Sequence, residues 1–241
     1  MMREIFIADE SRRFKWIHLL IIGMGCILIY FIDVQYHFSY WERSGMKIVL
    51  FLLIPLIYVW FMPRTDLFSI FRQKEKGGGF RRSFLLGLMV YTGLILLYIL
   101  MKDLIDLGTI EASMADNMMI TKENFILVAI YISFINSFLE EFFFRGFAFL
   151  KLKKKTGRYF AYGISSIAFS IYHFSIIDGW VSPLLTVLGL AGLFASGMFF
   201  NFINEKNENI WNSYMVHMFA NFAINTIGLQ MFGIINLPFL G

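Results

Sequence analysis

Seven stretches of the sequence are apolar for long enough to cross a membrane as helices. A hydrocarbon core about 30 Å thick needs about 17–25 helical residues. The apolar runs are continuous rather than alternating, which favours helices over the strands of a β-barrel. The predicted spans are residues 16–32, 46–62, 83–101, 125–150, 159–174, 184–203 and 209–226. A shorter apolar tail, residues 227–240, is either an eighth span or an interfacial segment.

The composition points to the same class of protein. Hydrophobic residues make up 58% of the 241 residues and charged residues only 16%. Soluble domains contain about 45–50% apolar and about 25% charged residues. The chain therefore has too little polar surface for a soluble globule. We predict an all-α, polytopic transmembrane helical bundle of seven or eight spans, forming a single integral membrane domain over residues 1–241.

The basic residues alternate along the chain in a way that predicts its orientation. The N-terminus and the loops after the second and fourth spans are rich in Lys and Arg: Arg3, Arg12, Arg13, Lys15; Arg64, Arg72, Lys74, Lys76, Arg81, Arg82; Lys151, Lys153, Lys154, Lys155, Arg158. The intervening loops hold only Arg43, Lys47, Lys102 and Lys122. Because basic loops stay in the cytoplasm, the N-terminus is predicted to be cytoplasmic. The net charge of +4 then reflects topology, and no nucleic-acid partner is expected.

Small residues in the sixth predicted span indicate a close helix–helix contact. Gly192 and Ser196 are four residues apart, with Ala191 and Ala195 beside them. This small-xxx-small spacing allows two helix backbones to approach closely in a membrane. We therefore predict a packing face at these positions.

Two adjacent carboxylates, Glu140 and Glu141, lie inside the fourth predicted span. They precede Lys151 by about ten residues, which places them about 15 Å from the cytoplasmic edge. A charge near the bilayer centre costs about 2.5–3.5 kcal/mol on insertion scales, so such residues are usually functional. Arg145 follows Glu141 by four residues and can pair with it on the same helix face. Glu140 points about 100° away, and is predicted to remain free to titrate.

Two other predicted spans carry polar side chains at helical spacing. In the fifth span, His173 follows Phe169 by four residues. In the seventh span, one stripe contains Ser213, His217, Asn221 and Asn225. Such stripes often only join helices by hydrogen bonds, and a lone Glu–Arg pair can be structural.

The depths of these residues favour a site rather than separate packing contacts. At 1.5 Å per residue, His173 lies about 22 Å from Arg158. His217 and Asn221 lie about 14 and 20 Å from Glu208 by the same measure. With helix tilts near 20°, we predict that these residues share one layer with Glu140. Three helices would then contribute to a single polar site.

The three motifs together resemble those of a known family. The first is EExxxR, formed by Glu140-Glu141-Phe142-Phe143-Phe144-Arg145. The second is FxxxH, formed by Phe169-Ser170-Ile171-Tyr172-His173. The third is HxxxN, formed by His217-Met218-Phe219-Ala220-Asn221. In this order they resemble the CPBP family of CAAX-protease and bacteriocin-processing membrane enzymes, over a catalytic core of about residues 125–226.

The resemblance implies a glutamate-type intramembrane endopeptidase of about eight spans that opens toward the cytoplasm. It implies that Glu140 and His173 activate a water molecule, while His217 and Asn221 stabilise the oxyanion. Glu141, Arg145 and Phe169 would support the site. The implied substrate is a membrane-associated peptide or protein, either CAAX-like or a bacteriocin or pheromone precursor. The implied location is the bacterial cell membrane.

Three alternatives remain open from the sequence. Glu140, His173 and His217 could supply three ligands to a catalytic zinc ion, although the HExxH motif is absent and metal-free chemistry is expected. The protein could instead be non-proteolytic, providing bacteriocin self-immunity or a membrane scaffold. A transporter with a protonatable Glu is disfavoured because no inverted repeat is visible.

Overall fold

The computed structural model describes residues 2–35, 38–61, 66–72, 79–177 and 179–240, with side chains from residue 14 onward. Arg64, Lys74 and Lys76 of the second basic loop lie outside the described residues. Within these ranges the chain is helical and contains no strand. The predicted all-α polytopic bundle is therefore confirmed as a fold class.

Eight helices account for most of the described chain. They are α1 (Met2–Gln35), α2 (Tyr40–Trp60), α3 (Gly79–Met101), α4 (Leu107–Met118), α5 (Lys122–Thr156), α6 (Arg158–Ile177), α7 (Pro183–Glu205) and α8 (Trp211–Met231). A short 3-10 helix, Leu67–Phe71, lies between α2 and α3 along the chain. Helix α6 is interrupted by a turn at His173.

Helix α5 is the centre of the bundle. Residues 139–152 of this helix are all buried. Phenylalanines fill the space around it: Phe142, Phe143, Phe144, Phe147 and Phe149. Two stretches of α5 are π-helical, Ile132–Asn136 and Glu141–Lys151. The carboxylate pair lies at the junction where the second π-helical stretch begins, and π-helical turns are frequent at functional sites.

Six helical segments are long and apolar enough to cross a membrane among the described residues: Phe14–Gln35, Tyr40–Trp60, Gly79–Leu104, Lys122–Thr156, Arg158–Ile177 and Pro183–Glu205. The seventh predicted span forms α8, but its polar stripe lowers the hydropathy, and it is not among the six. The number of crossings and the cytoplasmic N-terminus therefore stay predictions.

Of the two alternatives left open for the C-terminal tail, an eighth span or an interfacial segment, the described residues form no separate eighth helix. Residues 227–231 continue α8, and described residues 232–240 form turns rather than a helix. Gly233 adopts a φ of 59°, a left-handed conformation that commonly ends helices. Pro238 then removes a backbone donor that a new helix would need.

The close contact of α7 is made at Gly197, the residue that follows the predicted Ser196, and therefore on a different face of the helix. Ala191, Gly192 and Ala195 are exposed, and a Cβ at Gly192 would meet no atom within 4 Å. A Cβ at Gly197 would instead lie 2.9 Å from Cα of Ser166 on α6. The spacing of small residues predicted correctly that α7 packs closely against another helix. Because α7 has small residues on more than one side, the sequence did not show which face is buried.

Replacing Gly197 with Ala is expected to lower the free energy of unfolding by about 1–3 kcal/mol, as overpacking does in dense cores. The new methyl group would meet backbone of α6, which cannot rotate away. Gly192→Ala is the matched control and should leave the melting temperature unchanged or raise it slightly. Thermal unfolding in detergent measures both. Equal melting temperatures for the two variants would contradict the assigned contact.

Candidate active site

The side chains predicted to form the site come from three helices that meet in the middle of the bundle. Helix α5 supplies Glu140, Glu141 and Arg145; α6 supplies Phe169 and His173; α8 supplies His217 and Asn221. The structure brings these side chains into one cluster, except that Asn221 contacts α5 one turn away. The carboxylate of Glu140 lies at the centre.

The two oxygens of Glu140 have different surroundings. Oε1 accepts hydrogen bonds from Nδ2 of Asn136, at 2.7 Å, and from the hydroxyl of Tyr172, at 3.0 Å. Oε2 accepts no hydrogen bond from the described part of the chain. It faces Nε2 of both His173 and His217, each 3.7 Å away. One oxygen is thus held in place, and the other is directed at two imidazoles.

Each imidazole is oriented through its other nitrogen. Nδ1 of His173 donates to the carbonyl of Phe169 at 2.7 Å. Nδ1 of His217 donates to Oε1 of Glu141 at 2.9 Å. These bonds assign the proton on each ring to Nδ1, because a carbonyl or carboxylate oxygen can only accept. Nε2 of both rings therefore points toward Glu140.

Glu141 has more partners than the predicted Arg145. Its Oε1 lies 3.4 Å from a guanidinium nitrogen of Arg145 as well as contacting His217. The hydroxyl of Ser213 donates to Oε2, and Nδ2 of Asn204 donates to that hydroxyl. Glu141 is fully enclosed by these contacts. A carboxylate in this position orients the ring of His217 as well as pairing with the arginine.

Arg145 is completely buried and lies between two aromatic rings. Its Cζ is 3.8 Å from the ring centroid of Phe169 and 4.8 Å from that of Phe200. Its three nitrogens donate no hydrogen bond to any described residue. Attraction to the ring faces and to Glu141 therefore has to replace hydration of the guanidinium. This gives the Phe of the FxxxH motif a physical role as a platform for the Arg of EExxxR.

Asn221 lies one turn beyond His217 and joins α8 to α5. Its Nδ2 donates to the hydroxyl of Ser137 at 2.8 Å and to the carbonyl of Ile132 at 3.3 Å. Asn225 repeats this pattern with Ser133, at 2.9 Å, one turn further along. Within the described chain, both amide hydrogens of Asn221 are used in this way. The predicted role in oxyanion binding stays a prediction.

Several residues that contact the site were not predicted from the sequence: Lys47, Asn136, Tyr172, Phe200 and Ser213. Asn136 precedes Glu140 by one helical turn, and Ser213 belongs to the polar stripe of α8, so both had a usable signal. Lys47 was counted with the loop cations although the predicted second span begins at residue 46, and it is buried within α2. Only the folded chain brings it next to Asn136.

The described side chains contain no group of three His, Cys, Asp or Glu residues with the geometry of a metal site. Glu140, His173 and His217, the residues considered for zinc, are nonetheless neighbours. The expectation of metal-free chemistry stays a prediction.

A comparison with protein families identifies the segment that contains this site. Residues 122–223 match the family model described as type II CAAX prenyl endopeptidase Rce1-like. Residues 122–223 are Rce1-like. The resemblance predicted from the three motifs is confirmed. All the side chains predicted for the site lie inside the Rce1-like segment, which overlaps the predicted core of about residues 125–226.

The Rce1-like match supports a membrane endopeptidase. Together with the six apolar helical segments, it indicates an integral membrane protein. A search of curated proteins and a search of solved structures gave no match for the chain.

Proposed function

We propose that the protein is a glutamate-type intramembrane endopeptidase that hydrolyses a peptide bond in a membrane-associated peptide or protein. The observation that carries the proposal is Oε2 of Glu140, which has no hydrogen-bond partner among the described residues and is directed at Nε2 of two oriented histidines. A buried carboxylate oxygen normally has a hydrogen-bond partner. An unpaired one between two imidazoles suits a group that binds and deprotonates a water molecule.

The first step is water activation. A water molecule between Glu140 and His173 would donate one hydrogen bond to Oε2 and the other to Nε2 of the ring, which carries its proton on Nδ1. The water oxygen would keep a lone pair for attack on the scissile carbonyl carbon. As the new C–O bond forms, the proton would pass to Oε2 of Glu140, as in general-base catalysis.

The second step is stabilisation of the oxyanion. Attack moves the carbonyl π electrons onto the carbonyl oxygen. Glu141 orients the ring of His217 through Nδ1, and when both ring nitrogens carry a proton, the Nε2–H could donate to that oxygen. Such a donor, fixed before the reaction in a site with little water, is an effective form of transition-state stabilisation. Asn221 would assist by holding α8 against α5, or as a second donor if its amide turned.

The third step is departure of the amine. Collapse of the tetrahedral intermediate breaks the C–N bond and returns the electron pair to the carbonyl. Glu140, now protonated, would give its proton to the leaving nitrogen and return to the carboxylate. The products are a carboxylic acid and an amine, and the side chains end in their starting protonation states.

Cleavage by purified protein tests the proposal directly. We expect wild-type protein in lipid nanodiscs to cleave a prenylated CAAX peptide, with products identified by mass spectrometry. The same peptide without its prenyl group measures how far the lipid matters. If the folded protein cleaves neither peptide, the CAAX-like substrate class is contradicted.

Cells provide a test that does not depend on the choice of peptide. Membrane-bound and released peptides should differ between cells that produce wild-type protein and cells that produce Glu140→Gln protein. New termini found only with the wild type would identify the substrate. Identical peptide profiles would contradict proteolysis and favour a self-immunity or scaffold role, in particular if protection also survived the substitution.

Metal-free chemistry is part of the proposal and has its own test. We expect purified active protein to carry less than about 0.1 equivalent of zinc, because catalytic zinc sites bind metal in stoichiometric amounts. Treatment with a chelator should leave the cleavage rate unchanged. Stoichiometric zinc in the purified protein, together with loss of activity on chelation and recovery on adding zinc, would contradict this part.

A further inference from the structure

Lys47 on α2 is a buried cation that the proposed chemistry does not use. Its side chain is 7% exposed, and it lies at the last position before the π-helical turn Ile48–Leu53. Nζ is 3.5 Å from Oδ1 of Asn136 and 5.1 Å from the ring centroid of Tyr172. Among the described residues, no carboxylate lies within ion-pair distance of it. Since charges inside a membrane are costly and usually functional, this placement needs a reason.

The contact with Asn136 supports the direction in which that amide points. An ammonium group can only donate, so the oxygen of the amide must face Lys47. The amide nitrogen then faces Glu140, where it donates to Oε1 at 2.7 Å. If the amide were turned, its oxygen would face the carboxylate and repel it. Lys47 and Glu140 therefore favour the same orientation of Asn136, with the cation supporting it from the opposite side.

The contact with Tyr172 acts on the second donor to the same oxygen. The ammonium lies over the face of the tyrosine ring, an attraction that strengthens when water is excluded. The hydroxyl of this ring donates to Oε1 of Glu140 at 3.0 Å. Both side chains that hold Oε1 are thus contacted by one cation on a different helix. The charge of Lys47 also acts on Glu140 itself.

From this arrangement we propose that Lys47 is a positioning residue for the proposed peptidase reaction. It holds Asn136 and Tyr172 so that they bind Oε1 of Glu140, which leaves Oε2 free and directed at His173 and His217. The inference rests on the proposed function, because Glu140 is the general base there. Lys47 itself contacts neither substrate nor water in this role.

Substitution with Met tests the proposal, because Met keeps an unbranched apolar stem but has no charge or donor. For Lys47→Met we expect kcat on the prenylated CAAX peptide to fall by about tenfold or more, with KM nearly unchanged, because small displacements of catalytic groups cost up to about 10²-fold. The melting temperature should stay equal or rise, since an apolar group replaces a buried charge. Lys47→Arg keeps a cationic donor and should recover most of the lost kcat.

Lys122→Met is the matched control. Lys122 is the first residue of α5, distant along that helix from Glu140, and its side chain donates to the carbonyl of Gly233. Its substitution should leave kcat unchanged. A double variant gives a sharper criterion. If Lys47 acts through Asn136, then Lys47→Met should reduce kcat much less in an Asn136→Ala background than in the wild type.

The outcomes separate this inference from the proposed function. A wild-type protein that cleaves nothing contradicts the proposed function. An active wild type with an equally active Lys47→Met variant contradicts the role of Lys47, as does a loss confined to KM or matched by a fall in melting temperature. A crystal structure of Lys47→Met provides a readout without activity. Asn136 or Tyr172 should no longer reach Oε1, and retention of both hydrogen bonds would overturn the proposal.

Discussion

Replacing Glu140 with Gln is expected to lower kcat for peptide cleavage by about 10³-fold or more, since general acid–base catalysis alone supplies about 10²–10⁴-fold. Gln has nearly the same shape, and its oxygen can still accept from Asn136 and Tyr172. An amide nitrogen then takes the place of Oε2. This nitrogen cannot accept the proton of a water molecule, so attack on the peptide bond loses its base. Single-turnover cleavage of the peptide by purified protein measures the effect.

Glu123→Gln is the control for this prediction. Glu123 lies in the first turn of the same helix and is exposed. Its substitution changes the same functional group in α5 without touching the site, and should leave kcat unchanged. The melting temperature of Glu140→Gln should not fall below that of the wild type, because a neutral amide is easier to bury than a carboxylate. Undiminished cleavage by Glu140→Gln would contradict the role of Glu140 as the base.

The sequence predicted the helices that meet at the site because intramembrane polar residues are rare and therefore conspicuous. Helical spacing predicted that Glu141 pairs with Arg145 and that Glu140 points elsewhere, and the structure has both features. The ion pair is present although this part of α5 is π-helical rather than α-helical. A four-residue separation tolerates that change because both side chains are long.

Other features of the site depend on contacts between helices and had no periodic signal. The fixed rise of an α-helix predicted that Asn221 shares a layer with Glu140. Its amide instead bonds to the carbonyl of Ile132, where the first π-helical stretch of α5 begins. Lys47 was counted with the loop cations, although the predicted second span begins one residue before it. A single lysine near the end of a predicted span does not indicate which side chains of other helices it will contact.

Phe169 illustrates how the structure explains a motif that the sequence only matched. Spacing placed it on the same face of α6 as His173, without indicating what it contacts. The ring lies against the guanidinium of Arg145 and beside the imidazole of His173, with ring centroids 4.6 Å apart in the second case. The FxxxH motif therefore links the arginine of one helix to the histidine of its own.

Replacing Arg145 with Met is expected to lower the free energy of unfolding by about 3–5 kcal/mol, which is the usual cost of removing one partner of a buried ion pair. The change leaves the carboxylate of Glu141 buried with one positive partner fewer, and removes the cation between Phe169 and Phe200. Unfolding by denaturant in mixed micelles measures the effect. Arg158→Met is the control, because Arg158 pairs with Glu205 while half exposed. Exposed pairs contribute only about 0–1 kcal/mol.

A second substitution shows whether the buried charge causes the loss. In Glu141→Gln/Arg145→Met the uncompensated carboxylate is gone, so this double variant should be more stable than Arg145→Met alone. Its catalytic activity should still be low, because an amide oxygen orients the ring of His217 less strongly than a carboxylate does. If Glu141→Gln instead adds its own full destabilisation to that of Arg145→Met, the two residues do not act as a pair. Recovery of stability without recovery of activity would show that the pair serves both the fold and the orientation of His217.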